Sequence, residues 1–444
     1  MPFSEVHVRL GSHAEKEYLL KTAKLFSGVI VGANLLEMTP GASVSLAWKF
    51  ASLKRQFAID PMTYVFAIDL DYIASDTKDR KTKLTVRDMK KSFQSLCQEF
   101  GGVLKDEVLK YRRSLAPSDL RSKAQITQLC DCVLNYQLTR MNSFCEADPQ
   151  LRELEVDTIP SFVFSPYFYI PGDNDENSDK WESVNLNLIR QFGQLTSPVP
   201  KCAVLCFARR ILKNRDRLLR MLEAVMDSGC DAAWYWVSDF REEDVTSSEL
   251  KNLITFVNAA GDREFELRNM HGGFLSALLS KRGLSGFSHS IGYGESKDVF
   301  PVSAGALPTV NYHYLPLHTK SSVPDIERAF STLGITDAES FHEHVCDCSI
   351  CKGTLKGNLR NFRKFGELIL KPNNRRESQT PDSAKRCRFH FLLARKKELE
   401  FVNSSAVREL QTSISQTVTE YQALPPLLRL REKSDALAMW SQVL

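Results

Sequence analysis

The sequence predicts an α/β protein: a (β/α)8 TIM-like barrel with a helical insertion, followed by a C-terminal helical module built round a cysteine cluster. Three observations carry that reading. Short β-branched and aromatic runs alternate with longer amphipathic stretches from about residue 25 to residue 320. Eight strand–helix units across that span take about 37 residues each, a comfortable size for a barrel. After His318 the alternation gives way to helical segments surrounding CDCSICKG. A doubly wound open sheet is the alternative. No GxGxxG or GxxxxGK[ST] follows a strand, so dinucleotide and P-loop folds have no support.

The predicted strands are SGVIVGANLL near 27, TYVFAIDLDY at 63, SFVFSPYFYI at 161, KCAVLCFA at 201, DAAWYWVSDF at 231, REFELRNM at 263, GFSHSIGYG at 286 and TVNYHYLPL at 309. Between them RDRLLRMLEAVMDSG from 215 and SSELKNLITFVNAAG from 247 have helical periodicity and each stops at a glycine. The charged stretch 72–155 reads as a helical insertion, which gives a barrel over residues 1–320 and a module over 321–444. In the module VPDIERAFSTLG, ESFHEHV and FHFLLARKKELEFV read as helices, and Pro425 and Pro426 interrupt the last segment.

Composition excludes several classes. With 444 residues, 43% hydrophobic and 25% charged, the chain is neither collagen-like, low-complexity nor wholly disordered. It contains no run of eighteen apolar residues, and its first twenty residues lack a basic region followed by an apolar one, so the expectation is a cytoplasmic protein with no membrane association. The eleven scattered cysteines fit thiols in a reducing compartment, some of them bound to metal. The net charge of +4 is unevenly spread: residues 352–397 hold fourteen Lys/Arg against three acids, leaving the remainder at −7. So basic a segment suits phosphate-backbone binding, with a solvated basic face as the alternative.

Cys346, Cys348 and Cys351 lie within six residues, and His390 follows on a predicted helix. Three thiolates can wrap one tetrahedral ion and an imidazole can close its fourth position, the ligand set of a structural zinc site with no room for a catalytic water. Cys387, three residues before His390, is an alternative fourth ligand and would suit an iron–sulfur cluster; His342 and His344 rank below His390 on steric grounds.

The CxCxxC motif with its downstream histidine, at the end of an α/β barrel of this length, resembles the zinc subdomain of tRNA-guanine transglycosylases. Within that superfamily the chain is most similar to the DNA-guanine transglycosylases of bacterial and phage 7-deazaguanine modification clusters. The likeness also rests on IDPMTY (59–64), SPYFYIP (165–171) with Trp181, HSIGYGESK (289–297), NYHYLPLH (311–318) and HFLLARKKE (390–398). It implies an enzyme that cuts the N-glycosidic bond of a guanosine and installs a 7-deazaguanine, such as 7-cyano-7-deazaguanine, without ATP. One carboxylate would attack C1′ and hold the sugar as an ester, and another would bind the guanine edge. The implied partners are DNA or tRNA, the incoming base, and helper proteins that open a duplex. A catalytically silent, zinc-stabilised nucleic-acid-binding subunit is the alternative of a different kind.

Asp60 precedes Pro61 at an element end and matches the aspartate that opens the family's base-binding loop, here DPMT; a turn or helix cap is its structural alternative. Asp239 ends the apolar run WYWVSDF, where a barrel presents catalytic groups, and is the first candidate for the nucleophile. By strand order the family's nucleophile falls in GFSHSIGYGE, which makes Glu295 and His289 candidates for part of that work. Asp69, with Asp71 on the same predicted strand face, is a candidate for base binding. The turns His271-Gly272-Gly273 and Gly292-Tyr293-Gly294 are candidates for close backbone approach to a flat heterocycle. Tyr167, Tyr169, Tyr312 and Tyr314 could form a stacking face for an extruded base.

Overall fold

The computed structural model describes residues 5–78, 85–153, 159–172, 177–291, 297–300, 311–370 and 377–444. Eight parallel strands run in sequential order round a nearly closed barrel: β1 (Glu5–Leu10), β2 (Gly28–Gly32), β3 (Gln56–Asp60), β4 (Val163–Phe164), β5 (Lys201–Ala208), β6 (Ala232–Ser238), β7 (Glu266–Asn269) and β8 (Leu284–Ser290). β1 and β8 pair with Glu5 opposite Gly286, and β2 and β3 with Gly32 opposite Asp60. The opening lies between β3 and β4. There Ser161 bridges the gap, its N–H donating to the Phe57 carbonyl at 2.8 Å and its Oγ accepting from the Phe57 N–H at 3.1 Å.

The region expected as an insertion contributes a hairpin, Ala74–Lys78 against Thr85–Met89, and the helices Lys91–Phe100 and Lys123–Ala147. The second of these belongs to the barrel's helical layer. Its Gln137 amide donates to the Phe164 carbonyl and accepts from the Phe164 N–H, both at 2.8 Å, so that a side chain completes the ladder of a two-residue strand.

Two expected strands lie elsewhere. TYVFAIDLDY forms the 3-10 turns Thr63–Phe66 and Leu70–Ile73, because the strand is QFAID just before it: Pro61 lacks the N–H that would continue the ladder, and Met62 turns the chain at φ +53°. The described part of TVNYHYLPL, from residue 311, is not a barrel strand; Tyr312–Tyr314 pairs antiparallel with Thr319–Ser321 and packs on the helix Pro381–Ser404. The barrel's first strand is EVHVRL, upstream of the expected start.

The barrel interior is aromatic. His7 stands edge-on to Phe162 and Trp234, at 5.6 and 5.5 Å between ring centroids, and its Nε2 meets the Gln56 amide oxygen at 2.6 Å. Burial and the nearby Arg268 hold its pKa down at about 3, so the imidazole stays neutral there. Gly28 makes this packing possible: a Cβ would come within 2.6 Å of the Gln56 carbonyl and 2.7 Å of the His7 ring.

The module folds back onto the barrel through its last helix, Arg429–Trp440. Buried Trp440 donates its indole N–H to the Glu242 carbonyl at 2.8 Å and packs on Phe274, whose helix, Phe274–Leu279, follows β7. Replacing Trp440 with Ala removes an indole at this junction, and the expected cost is about 3–5 kcal/mol, read as a lower urea midpoint with an unchanged slope.

Candidate functional site

The cysteine motif builds a compact ligand cluster. The donor atoms of Cys346, Cys348, Cys351 and His390 all lie within 4.8 Å of one another and all four residues are buried. Cys348 caps the helix Ser349–Leu355, which carries Cys351, while His390 comes from the helix Pro381–Ser404. His390 Nδ1 faces the three sulfurs at 3.4, 3.4 and 3.9 Å. Ideal zinc bond lengths imply a tetrahedral S–N edge of roughly 3.6 Å, so the donors already stand at coordinating separation. The other ring nitrogen, Nε2, meets the His313 carbonyl at 2.7 Å and so carries the proton, which leaves Nδ1 free to ligate. Tyr312 stacks on the imidazole at 4.0 Å and sets its hydroxyl 3.2 Å from Cys351 Sγ.

The electrostatics also fit a cation. Burial pushes the His390 imidazolium down, yet hydrogen bonds and charge from Cys346 and Cys348 outweigh it and lift its pKa to about 10, so a metal ion would bind Nδ1 by displacing a proton. Hydrogen bonds from Cys346 and Cys351 hold the Cys348 thiol far below its ordinary range, whereas burial drives Cys351 well above it. The three sulfurs cannot all be anionic without added positive charge, which a bound metal ion supplies. Cys387 is not part of the cluster: its thiol donates to the Phe365 carbonyl at 3.2 Å. His342 points to the Cys346 carbonyl and His344 is exposed.

A second constellation occupies the carboxyl ends of the barrel strands. Asp60, only 1% exposed, closes β3, pairs with Arg9 from the end of β1, and accepts from the Tyr167 hydroxyl at 2.8 Å and the Met62 N–H at 3.0 Å. Among the described residues two cavities open at this end, and it lines neither of them. The larger cavity, about 820 Å³, holds Asp239 and Asp298 together with Arg209, Arg210 and the aromatic walls Tyr169, Trp181 and Phe300. Asp239 follows β6 in left-handed backbone at φ +55°, a conformation that non-glycine residues rarely adopt. Asp298 accepts from the Ser238 hydroxyl at 2.8 Å and the Phe300 N–H at 3.0 Å. Arg209 forks onto Glu249, both bonds at 2.9 Å.

The smaller cavity, about 310 Å³, is lined by Arg9, Met62, His271, Ser290 and Lys297 among others. Lys297 donates to the Tyr64 hydroxyl at 3.1 Å and sits over the Tyr64 and Trp236 rings at 5.6 and 5.2 Å. Burial and the Arg9 charge lower its pKa to about 8.

Other candidates are placed differently. His271 lines the smaller cavity, but the N–H groups of the glycines after it are spent internally, Gly272 donating to the Ser288 carbonyl and Gly273 to the Glu242 carboxylate. His289 sits outside the barrel wall between Phe26 and Phe391, since alternation along β8 turns it toward the module. Asp69 is exposed and accepts from the Asp71 N–H in a turn, which is why the presumed shared strand face does not exist. Tyr312 and Tyr314, just before the expected module boundary, pack on the module instead, Tyr312 against His390 and Tyr314 against Tyr421. Glu295, Gly292, Tyr293 and Gly294 lie outside the described residues.

Arg9, Lys297 and Asp298 were not singled out by sequence. Asp298 carried a usable signal, an acid shortly after a strand end, whereas a lone arginine in EVHVRL or a lysine in ESKD looks like a surface charge.

The basic segment is less bare than its composition suggests. Lys352 and Lys397 pair with Asp347, Arg363 with Glu327, Lys385 with Glu17, and Arg386 with Glu367. Lys356 and Arg360 are exposed. Among the described residues no helix is long and apolar enough to cross a membrane.

No protein-family model matches the chain, and no curated protein matches it in sequence. The ligand cluster yields its own prediction. Cys348→Ser should lower metal content from one equivalent toward zero and lower the melting temperature, because coordination free energy is folding free energy here; elemental analysis and a thermal scan measure both.

Proposed function

We propose that the protein exchanges guanine in DNA for a 7-deazaguanine, such as 7-cyano-7-deazaguanine, through a covalent aspartyl-sugar intermediate, with a structural zinc held by Cys346, Cys348, Cys351 and His390. The observation that carries this reading is the larger cavity, where Asp239 and Asp298 share one space with two guanidinium groups and three aromatic side chains at the strand ends. Paired carboxylates suit a reaction that needs both a nucleophile and a proton-handling group. Aromatic walls suit an extruded base, and Arg210 suits its flanking phosphates, Arg209 being held by Glu249.

In this reading an Asp239 oxygen bonds to C1′ as the bond from C1′ to guanine N9 breaks. The electron pair goes to the purine, which takes up a proton as it leaves. The incoming base then attacks C1′ through its own ring nitrogen, loses a proton and frees the Asp239 carboxylate. Asp298, fixed by Ser238 and the Phe300 N–H, binds the base edge and manages that proton. Asp60 is the family-matched candidate for this second role, but its bonds to Arg9, Tyr167 and Met62 assign it to holding the mouth in shape. Cys346, Cys348, Cys351 and His390 would hold the zinc away from the reaction, where it would cross-link the cysteine segment to the helix Pro381–Ser404.

The test is incubation of purified protein with radiolabelled guanine and either plasmid DNA or tRNA. Incorporation into DNA is the expected result; incorporation into tRNA alone moves the substrate to RNA, and incorporation into neither favours the non-catalytic subunit. Asp239→Ala should reduce exchange by roughly 10³-fold or more while DNA binding, followed by gel shift, persists.

A further inference from the structure

Among the described residues, the smaller cavity has a charge imbalance that the proposed base exchange does not use. Arg9 and Lys297 bring two cations to its wall, and Asp60, paired with Arg9, is the one described acid set against them. The other titratable groups near Lys297 add no negative charge: burial pushes the Tyr64 and Tyr167 hydroxyls and the Cys206 thiol well above their ordinary ranges, so all three stay neutral. His271, on the same wall, carries no negative charge in either of its common forms. Asp298, next in the chain to Lys297, turns to the larger cavity, where Ser238 holds it. Arg9 is 8% exposed, and its Nη1, buried, has no hydrogen-bond partner. A low-dielectric pocket with a surplus of one positive charge and an unused guanidinium donor is costly when left uncompensated.

We propose that this cavity binds a small organic carboxylate, its anionic end between Arg9 and Lys297 and its body against Leu10, Ile30 and Leu35. A carboxylate brings the single charge the cluster lacks and is planar, as a guanidinium prefers. A phosphate monoester would bring about −1.5 to −2 and overcompensate. At about 310 Å³ the space holds one ring with its substituent. The lowered pKa of Lys297 is the free-state counterpart of this arrangement, since Arg9 repels the ammonium until an anion arrives between them.

The experiment is calorimetric titration of the intact, metal-loaded protein with benzoate, benzamide and inorganic phosphate. Benzoate should bind one to one, at least ten times tighter than benzamide or phosphate, with affinity falling above about pH 8 as Lys297 loses its proton. Lys297→Met should weaken benzoate at least tenfold, whereas Lys297→Arg, which keeps the charge, should retain most of it; circular dichroism confirms that both fold. Equal binding of benzamide, tighter binding of phosphate, or benzoate affinity indifferent to Lys297→Met each overturns the proposal. So does the absence of binding at about 10 mM benzoate, a concentration that would reveal even millimolar affinity. The inference does not rest on base exchange, which the labelled-guanine assay reads separately.

Discussion

Three thiols and an imidazole packed within 4.8 Å inside a protein can hold a metal ion, and the C-terminal part of this chain is arranged round that cluster. The cluster joins the segment 346–351 to the helix Pro381–Ser404, which lies along the outside of the barrel. There Phe389 packs on Tyr18, and Phe391 on His289 of β8. Farther along the same helix, buried Glu398 pairs with Arg395 and accepts from His313 and His318. His318 in turn stacks on Phe274 at 3.4 Å with the rings almost parallel. Phase by phase along these contacts, the ligand histidine, the buried carboxylate and the helix after β7 form one continuous packed body. The Glu242 carboxylate secures its far end by accepting from three backbone N–H groups at the start of that helix.

The barrel mouth divides by charge. Its larger cavity carries acids and arginines near solvent, and its smaller one carries cations in a more apolar wall. Residues 297 and 298 separate the two, with the lysine turned to one side and the aspartate to the other. Asp60 is central to this division without touching either space. By holding Arg9, it sets a guanidinium at the rim of the smaller cavity, and by accepting from Tyr167 it fixes the loop that leads to Tyr169 on the wall of the larger one.

Fold class was legible because the strongest strands, KCAVLCFA and AAWYWVS, are apolar apart from the terminal Lys201 and Ser238, as a parallel strand covered on both faces tends to be. EVHVRL was not, since its histidine and arginine mimic an exposed edge, although His7 is buried in the barrel interior and Arg9 is paired at its mouth. The short β4 was legible only as part of SFVFSPYFYI, because a glutamine from a distant helix replaces its missing partner. The Cys3His cluster that could hold a metal could be read directly, since its spacing is local for three of the four residues. The mouth was harder: Asp239 was found from its strand, but the partners of Asp60 converge from β1 and from residue 167, separations that no local pattern encodes.

The basic segment shows why linear charge counts overstate a surface field. Several of its partners, Glu17, Glu327 and Asp347, lie outside residues 352–397, so the count of +11 omits acids that sit beside it in space. Exposed pairs of this kind hold together by only about 0–1 kcal/mol, less than a phosphate gains by releasing condensed counterions. If the proposed nucleic-acid partner binds here, it would displace Glu17 from Lys385 or Glu327 from Arg363, after being drawn in by charges that are exposed without a partner among the described residues. Lys356 and Arg360, exposed on the connection between the cysteine helix and the next turn, are placed for that first contact. Attraction at long range and affinity at contact thus fall to different residues of the same segment, and only the first is set by the charges that remain unpaired in the free protein.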